Sequence, residues 1–174
     1  MPEAMSDMER IDLALKTEES GNHFYLDAAA KTDHKLARAA FEVLAKEETR
    51  HVELIEALSR SLKGEGGPVE ADSPEKTDLE KRVKTVYEKA GDEKVDAKME
   101  PKEAYEKAIE LEKKIASLYY GYIEECQSDE ARRLFQALYR EEQDHLSMLE
   151  DMYGYLTEPG RWFIDRDMVL LDGA

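Results

Sequence analysis

The chain has 174 residues, enough for one domain that buries a continuous core without disulfides. Charged residues make up 38% of it and acids outnumber bases 41 to 25, so the formal net charge of -16 argues against nucleic acid and anionic lipid surfaces as partners. Cys126 is the only cysteine, which excludes an internal disulfide and a thiolate metal cluster; no run approaches the ~18 apolar residues of a membrane span, and the first residues lack a signal-peptide core, so the expected setting is cytoplasmic with no membrane.

Apolar residues recur at helical spacing through nearly the whole chain, in stretches dominated by Ala, Glu, Lys and Leu. A first helix is predicted from a Ser6 cap through Ile11, Ala14, Leu15, Tyr25 and Ala29 to a turn near Asp33. A second carries Leu36, Ala40, Leu44, Ile55, Leu58 and Leu62, and is broken by Gly64, Gly66, Gly67 and Pro68. A third begins at Pro101 and runs through Ala104, Ala108, Leu111, Ile115, Leu118 and Tyr122 to a turn at "CQSD". The fourth continues through Leu134, Leu138, Leu149 and Met152 until Pro159 and Gly160.

About 38 residues separate the second and third helices, far more than the two to eight that join neighbours in an up-down bundle. The connection therefore travels. Within it Leu79, Val83, Val86, Tyr87 and Ala90 form an amphipathic stripe that suits a short crossover helix. The expected architecture is all-α: a four-helix bundle of two αα-hairpins over residues 1–158, joined by that crossover. An extended tail over 159–174 would be packed on the bundle or on a partner subunit, or would act as a ligand-side lid.

Sliding the sequence against itself by 94 residues aligns Ala14 with Ala108, Glu18 with Glu112, Tyr25 with Tyr119, Phe41 with Phe135, Leu44 with Leu138, Glu48 with Glu142, and His51 with His145. A common helical rhythm accounts for the apolar matches, but it does not choose His over Lys. Glu18 and Glu48 stand 15 residues either side of residue 33, and Glu112 and Glu142 stand 15 either side of Gln127. At 1.5 Å per residue each pair lies roughly 22 Å from its own turn, so hairpins with turns at opposite ends bring all four glutamates to one level.

Glu48 with His51, and Glu142 with His145, have the i and i+3 spacing that lets one metal ion take both side chains. Four carboxylates and two imidazoles then converge, which is the constellation of di-iron carboxylate bundles. Two divalent cations supply +4 against the four glutamates, and an oxygen and nitrogen shell without sulfur suits iron or manganese, with zinc also able to bind. Glu47 and Glu141 are doubled too and are either rival ligands or carboxylates outside the metal shell. Tyr25 and Tyr119 fall seven residues after Glu18 and Glu112, where a phenol either bonds a ligand carboxylate or simply fills the core. Gly21, inside a predicted helix, either opens a path for a small oxidant or relieves crowding between helices.

Through "ALKTEESGNHFY", "LAKEETRH", "AIELEKKIASLY" and "LYREEQDH", residues 8 to 156 resemble the rubrerythrin branch of the ferritin-like superfamily. The resemblance implies a di-iron oxidoreductase that reduces hydrogen peroxide or dioxygen, with Glu18, Glu48, His51, Glu112, Glu142 and His145 holding two iron ions, and a homodimer. The four-cysteine rubredoxin module usual in that branch is absent from this chain, so electrons are expected from an external donor such as a rubredoxin-like protein. Ile115 stands where the branch tends to carry a further glutamate, which weakens the case for a redox-linked exchange of ligands and for peroxidase activity. Alternatives are a ferroxidase or iron-handling protein, an oxygenase, and a structural or interaction bundle with an empty site.

Overall fold

A computed structural model describes residues 5–70 and 102–160, which form four helices: α1 Asp7–Lys31, α2 Lys35–Leu62, α3 Lys102–Glu125 and α4 Asp129–Thr157. Among the described residues there is no strand, and the all-α bundle is the expected one. The crossover stripe from Leu79 to Ala90, Pro101, and all but the first two residues of the 159–174 tail lie outside the described residues.

The helix boundaries follow local chemistry. Ser6 caps α1 in a reciprocal box, its hydroxyl accepting from the Glu9 N–H while the Ser6 N–H donates to the Glu9 carboxylate at 2.7 Å. His34 caps α2 with a ring nitrogen that accepts from the Ala37 N–H at 3.2 Å, and Ser128 caps α4. α2 ends in a Schellman turn, with Gly64 at φ +74 and bonds from Gly64 N–H to Ser61 and from Glu65 N–H to Arg60. Only glycine adopts that backbone at little cost.

Each hairpin packs along its length, and two contacts set how the hairpins meet. Arg10 near the start of α1 donates to Glu125 at the end of α3 at 2.9 Å, and Ser61 near the end of α2 donates to Glu130 near the start of α4 at 2.9 Å. The turns therefore lie at opposite ends and α2 runs parallel to α3, which demands a connection of about one bundle length, ~40 Å, instead of a tight turn.

The core is divided. One apolar cluster gathers Tyr25, Leu36, Phe41, Leu44, Tyr105, Leu149 and Met152 toward the first turn; another gathers Ile11, Ile55, Leu58, Ile115, Tyr122, Leu134 and Phe135 toward the second. Each fully buried large side chain contributes ~1.5–3 kcal/mol relative to exposure, so the bundle has ample means to stay folded around a polar layer. That layer lies between the clusters.

Candidate metal centre

Helix periodicity decides which acids turn inward. Glu18, Glu48, Glu112 and Glu142 are all wholly buried, as are His51 and His145, one glutamate from each odd-numbered helix and a glutamate with its histidine from each even-numbered one. The structure brings all six together. The two imidazole rings stack with centroids 5.4 Å apart and planes 16° from parallel.

Their donor atoms form two sets, each with all atoms within 4.8 Å of one another: Glu18, Glu48, His51 and Glu142 in one, and Glu48, Glu112, Glu142 and His145 in the other. Glu48 and Glu142 belong to both, so they are placed to bridge, while Glu18 with His51 and Glu112 with His145 close the two ends. His51 Nδ1 lies 3.2 Å from Glu18 and 3.1 Å from Glu142; His145 Nδ1 lies 3.1 Å from Glu142 and 3.4 Å from Glu48.

The opposite ring nitrogens are anchored across the bundle. His51 Nε2 is 3.1 Å from Glu141 of α4, and His145 Nε2 is 3.2 Å from Glu47 of α2. An Nε2–H donated outward leaves the Nδ1 lone pair facing the carboxylates, which is the tautomer a metal needs. Glu47 and Glu141 thus stand at the outer ring nitrogens and belong to neither donor set. Glu141 is itself buried and accepts from Arg50, so burial, which would raise its carboxyl, is outweighed by His51 and Arg50, and the group stays below the usual range.

Tyr25 and Tyr119 each donate to a ligand carboxylate, but of the other hairpin: Tyr25 to Glu112 and Tyr119 to Glu18. Burial first, and the neighbouring carboxylates second, push both phenols well above their ordinary pKa and keep them protonated as donors. Sequence reasoning placed these tyrosines near ligands without showing the exchange of partners, and it missed Arg50. Gly21 borders Glu48, not helix backbone: a Cβ there would stand 3.2 Å from Glu48 Oε2. Ile115, at the repeat-related position, is buried in the apolar cluster and offers no further ligand.

The carboxylates repel one another and are cut off from water. Burial, and then Glu18 and Glu142, push Glu48 well above the usual range; burial, and then Glu142, push Glu112 up to about 7. Burial opposes charge on the imidazoles as well, yet the carboxylates raise His51 and His145 well above the ordinary value and the imidazoles in turn hold Glu142 far below it. Even so, both oxygens of Glu48, one of Glu112 and one of Glu142 are buried with no hydrogen-bond partner. Four unserved acceptors converging with two Nδ1 atoms fit two divalent cations, and the oxygen and nitrogen donor set suits iron or manganese.

No described helix is long and apolar enough to cross a membrane. No curated protein and no solved structure matches the chain. Residues 9–153, a span that holds all six converging side chains, match the family model described as Rubrerythrin.

Proposed function

The chain belongs to the rubrerythrin family, and from that membership we propose that it is a di-iron oxidoreductase that reduces hydrogen peroxide or dioxygen with electrons from an external donor such as a rubredoxin-like protein. The observation that carries the reading is the pair of overlapping donor sets sharing Glu48 and Glu142, with buried acceptor oxygens that nothing in the protein satisfies.

Two bound iron ions would supply the two electrons and the Lewis acidity that the reduction of an O–O bond requires. Glu18 and His51 would hold one ion, Glu112 and His145 the other, and Glu48 and Glu142 both. The protein's own part is positional and electrostatic. Glu47 and Glu141 hold the Nε2 protons so that both Nδ1 atoms face inward, and Tyr25 and Tyr119 donate to one oxygen each of Glu112 and Glu18. The apolar clusters above and below exclude bulk water, which strengthens every charge interaction between them. Overall each peroxide takes up two electrons and two protons to give two waters, and the donor restores the electrons.

Stopped-flow mixing of anaerobic, Fe(II)-loaded protein with peroxide and, separately, dioxygen tests this. Oxidation is expected within the mixing experiment's range for at least one of them, faster than for free Fe(II), and turnover once a reductase is added. Slow oxidation by both contradicts the proposal, and assembly into a 24-subunit shell on a sizing column in place of a dimer favours iron storage instead.

A further inference from the structure

The two hairpins repeat each other at an offset of 94 residues, yet the seams between their helices are built differently at the level of the metal centre. Between α1 and α2 the Asn22 amide donates to the Ala45 carbonyl at 2.6 Å and to the Thr49 hydroxyl at 2.9 Å, and that hydroxyl donates to the same carbonyl at 3.0 Å. The seam is latched. Between α3 and α4 the matching positions hold Ala116 for Asn22, Tyr139 for Ala45 and Gln143 for Thr49. A methyl group has nothing to donate, so position 116 forms no latch.

In its place lies a groove of about 330 Å³, flanked by Tyr120 and Tyr139, whose ring centroids stand 5.8 Å apart. Lys113, Gln143 and Leu146 also line it, and each directly follows one of the converging side chains, Glu112, Glu142 and His145. Successive residues on a helix are rotated by about 100°, so the groove lies on the outside of the same turns whose inner side holds those three. Ala116 joins the two sides: it lines the groove, is only 3% exposed, and stands one helical turn from Glu112.

We propose that small polar solutes, the metal ions and an oxidant of peroxide size, reach the centre through the seam between α3 and α4 at Ala116, and that Asn22 shuts the seam between α1 and α2 to them. A packed bundle admits such solutes only when neighbouring helices part briefly. Parting α1 from α2 at this level breaks the two hydrogen bonds that Asn22 donates, and at a factor of about five each this makes the open form roughly 25-fold rarer. At Ala116 only the contacts of a methyl group are given up. The path is then not at Gly21, which belongs to the latched hairpin. The inference rests on the metal centre of the reading above, but not on the reaction assigned to it.

Uptake of Co(II) by the metal-free protein, followed through its visible absorption after stopped-flow mixing, measures entry without redox chemistry. Gln143→Trp adds an indole at an exposed position on the groove, against Tyr120 and Tyr139; such ring contacts are worth up to a factor of about ten, so uptake is expected to slow about tenfold with two ions still bound at the end. Leu26→Trp is the control, because Leu26 is the 52% exposed counterpart of Tyr120 and belongs to the latched hairpin. It should leave the rate unchanged. Adding Asn22→Ala to Gln143→Trp releases the latch and should restore most of the lost rate. Wild-type uptake rates in Gln143→Trp, equal slowing in Leu26→Trp, or no recovery on adding Asn22→Ala overturns the inference. Wild-type protein that takes up no Co(II) overturns the metal centre and this inference together, whereas normal uptake with slow oxidation by both oxidants overturns only the oxidoreductase reading.

Discussion

Among the described residues charge is buried in two places, and they are handled in opposite ways. At one end of the bundle Arg10, 1% exposed, donates to Asp7 at 3.1 Å and to Glu125 at 2.9 Å, while Asp7 also accepts the backbone N–H groups of Gln127 and Ser128. The protein supplies its own counter-charge there, and α1 is riveted to the second turn. At mid-height four carboxylates face two imidazoles and leave acceptors unserved. The first arrangement is neutralised by the fold, with Arg10 Nε alone left without a hydrogen bond; the second leaves four carboxylate oxygens for cations to take, as expected where stability is traded for function.

The widest separation between the two should come from chelation. Two ions, each at about 100 times its Kd, stabilise the folded chain by about 5 kcal/mol, roughly 10–20 °C in Tm at this size. The gap should depend on pH. His51, His145, Glu48 and Glu112 all have folded-state pKa values raised above their unfolded ones, near 6.5 and 4.3, so their stabilising protonated forms are lost as pH rises through the folded values. Glu142, held low, acts with the opposite sign but only in acid, below about pH 4.3. Metal affinity rises over the same range as competing protons leave. Calorimetry of loaded and chelated protein should therefore show a gap that widens from about pH 6 to about pH 8; a constant gap contradicts the assignment.

Arg10→Met should act on the other region alone. It strands Asp7 beside a partly exposed Glu125, at a cost of ~3 kcal/mol, or roughly 6–12 °C in Tm, and the drop should be the same with and without metal. A drop confined to the loaded form would show that the two regions are coupled. Smallest is the effect of Tyr119→Phe, which removes the donor to Glu18 and should cost ~1 kcal/mol, with Tyr25→Phe matching it at Glu112. Thermal melts of the pair would expose any inequality between the hairpins.

Much of this was legible in the sequence. The four helices and their ends follow from periodicity and from Ser6, Gly64, the turn at "CQSD" and Pro159, and the six converging residues follow from polar matches at one offset, because a helix converts spacing into direction. What escaped depends on which helix lies opposite which. That Tyr25 serves Glu112 and not Glu18, that Glu47 holds His145 and not His51, and that Arg50 meets Glu141 are facts of packing between hairpins some 90 residues apart. Arg10 was invisible for a similar reason: an aspartate and arginine three apart read as a surface pair until the second turn closes over them. The helix penalty at Gly21 was readable, but its contact with Glu48 was not.

The most direct test is iron content per chain in wild type, Glu112→Ala and Glu142→Ala, each loaded anaerobically and measured by elemental analysis after removal of free metal. Two ions, about one, and close to none are expected in that order, because Glu112 closes a single donor set whereas Glu142 belongs to both. Equal loss in the two variants would contradict shared bridging, and undiminished iron in both would show that the metal is held somewhere else.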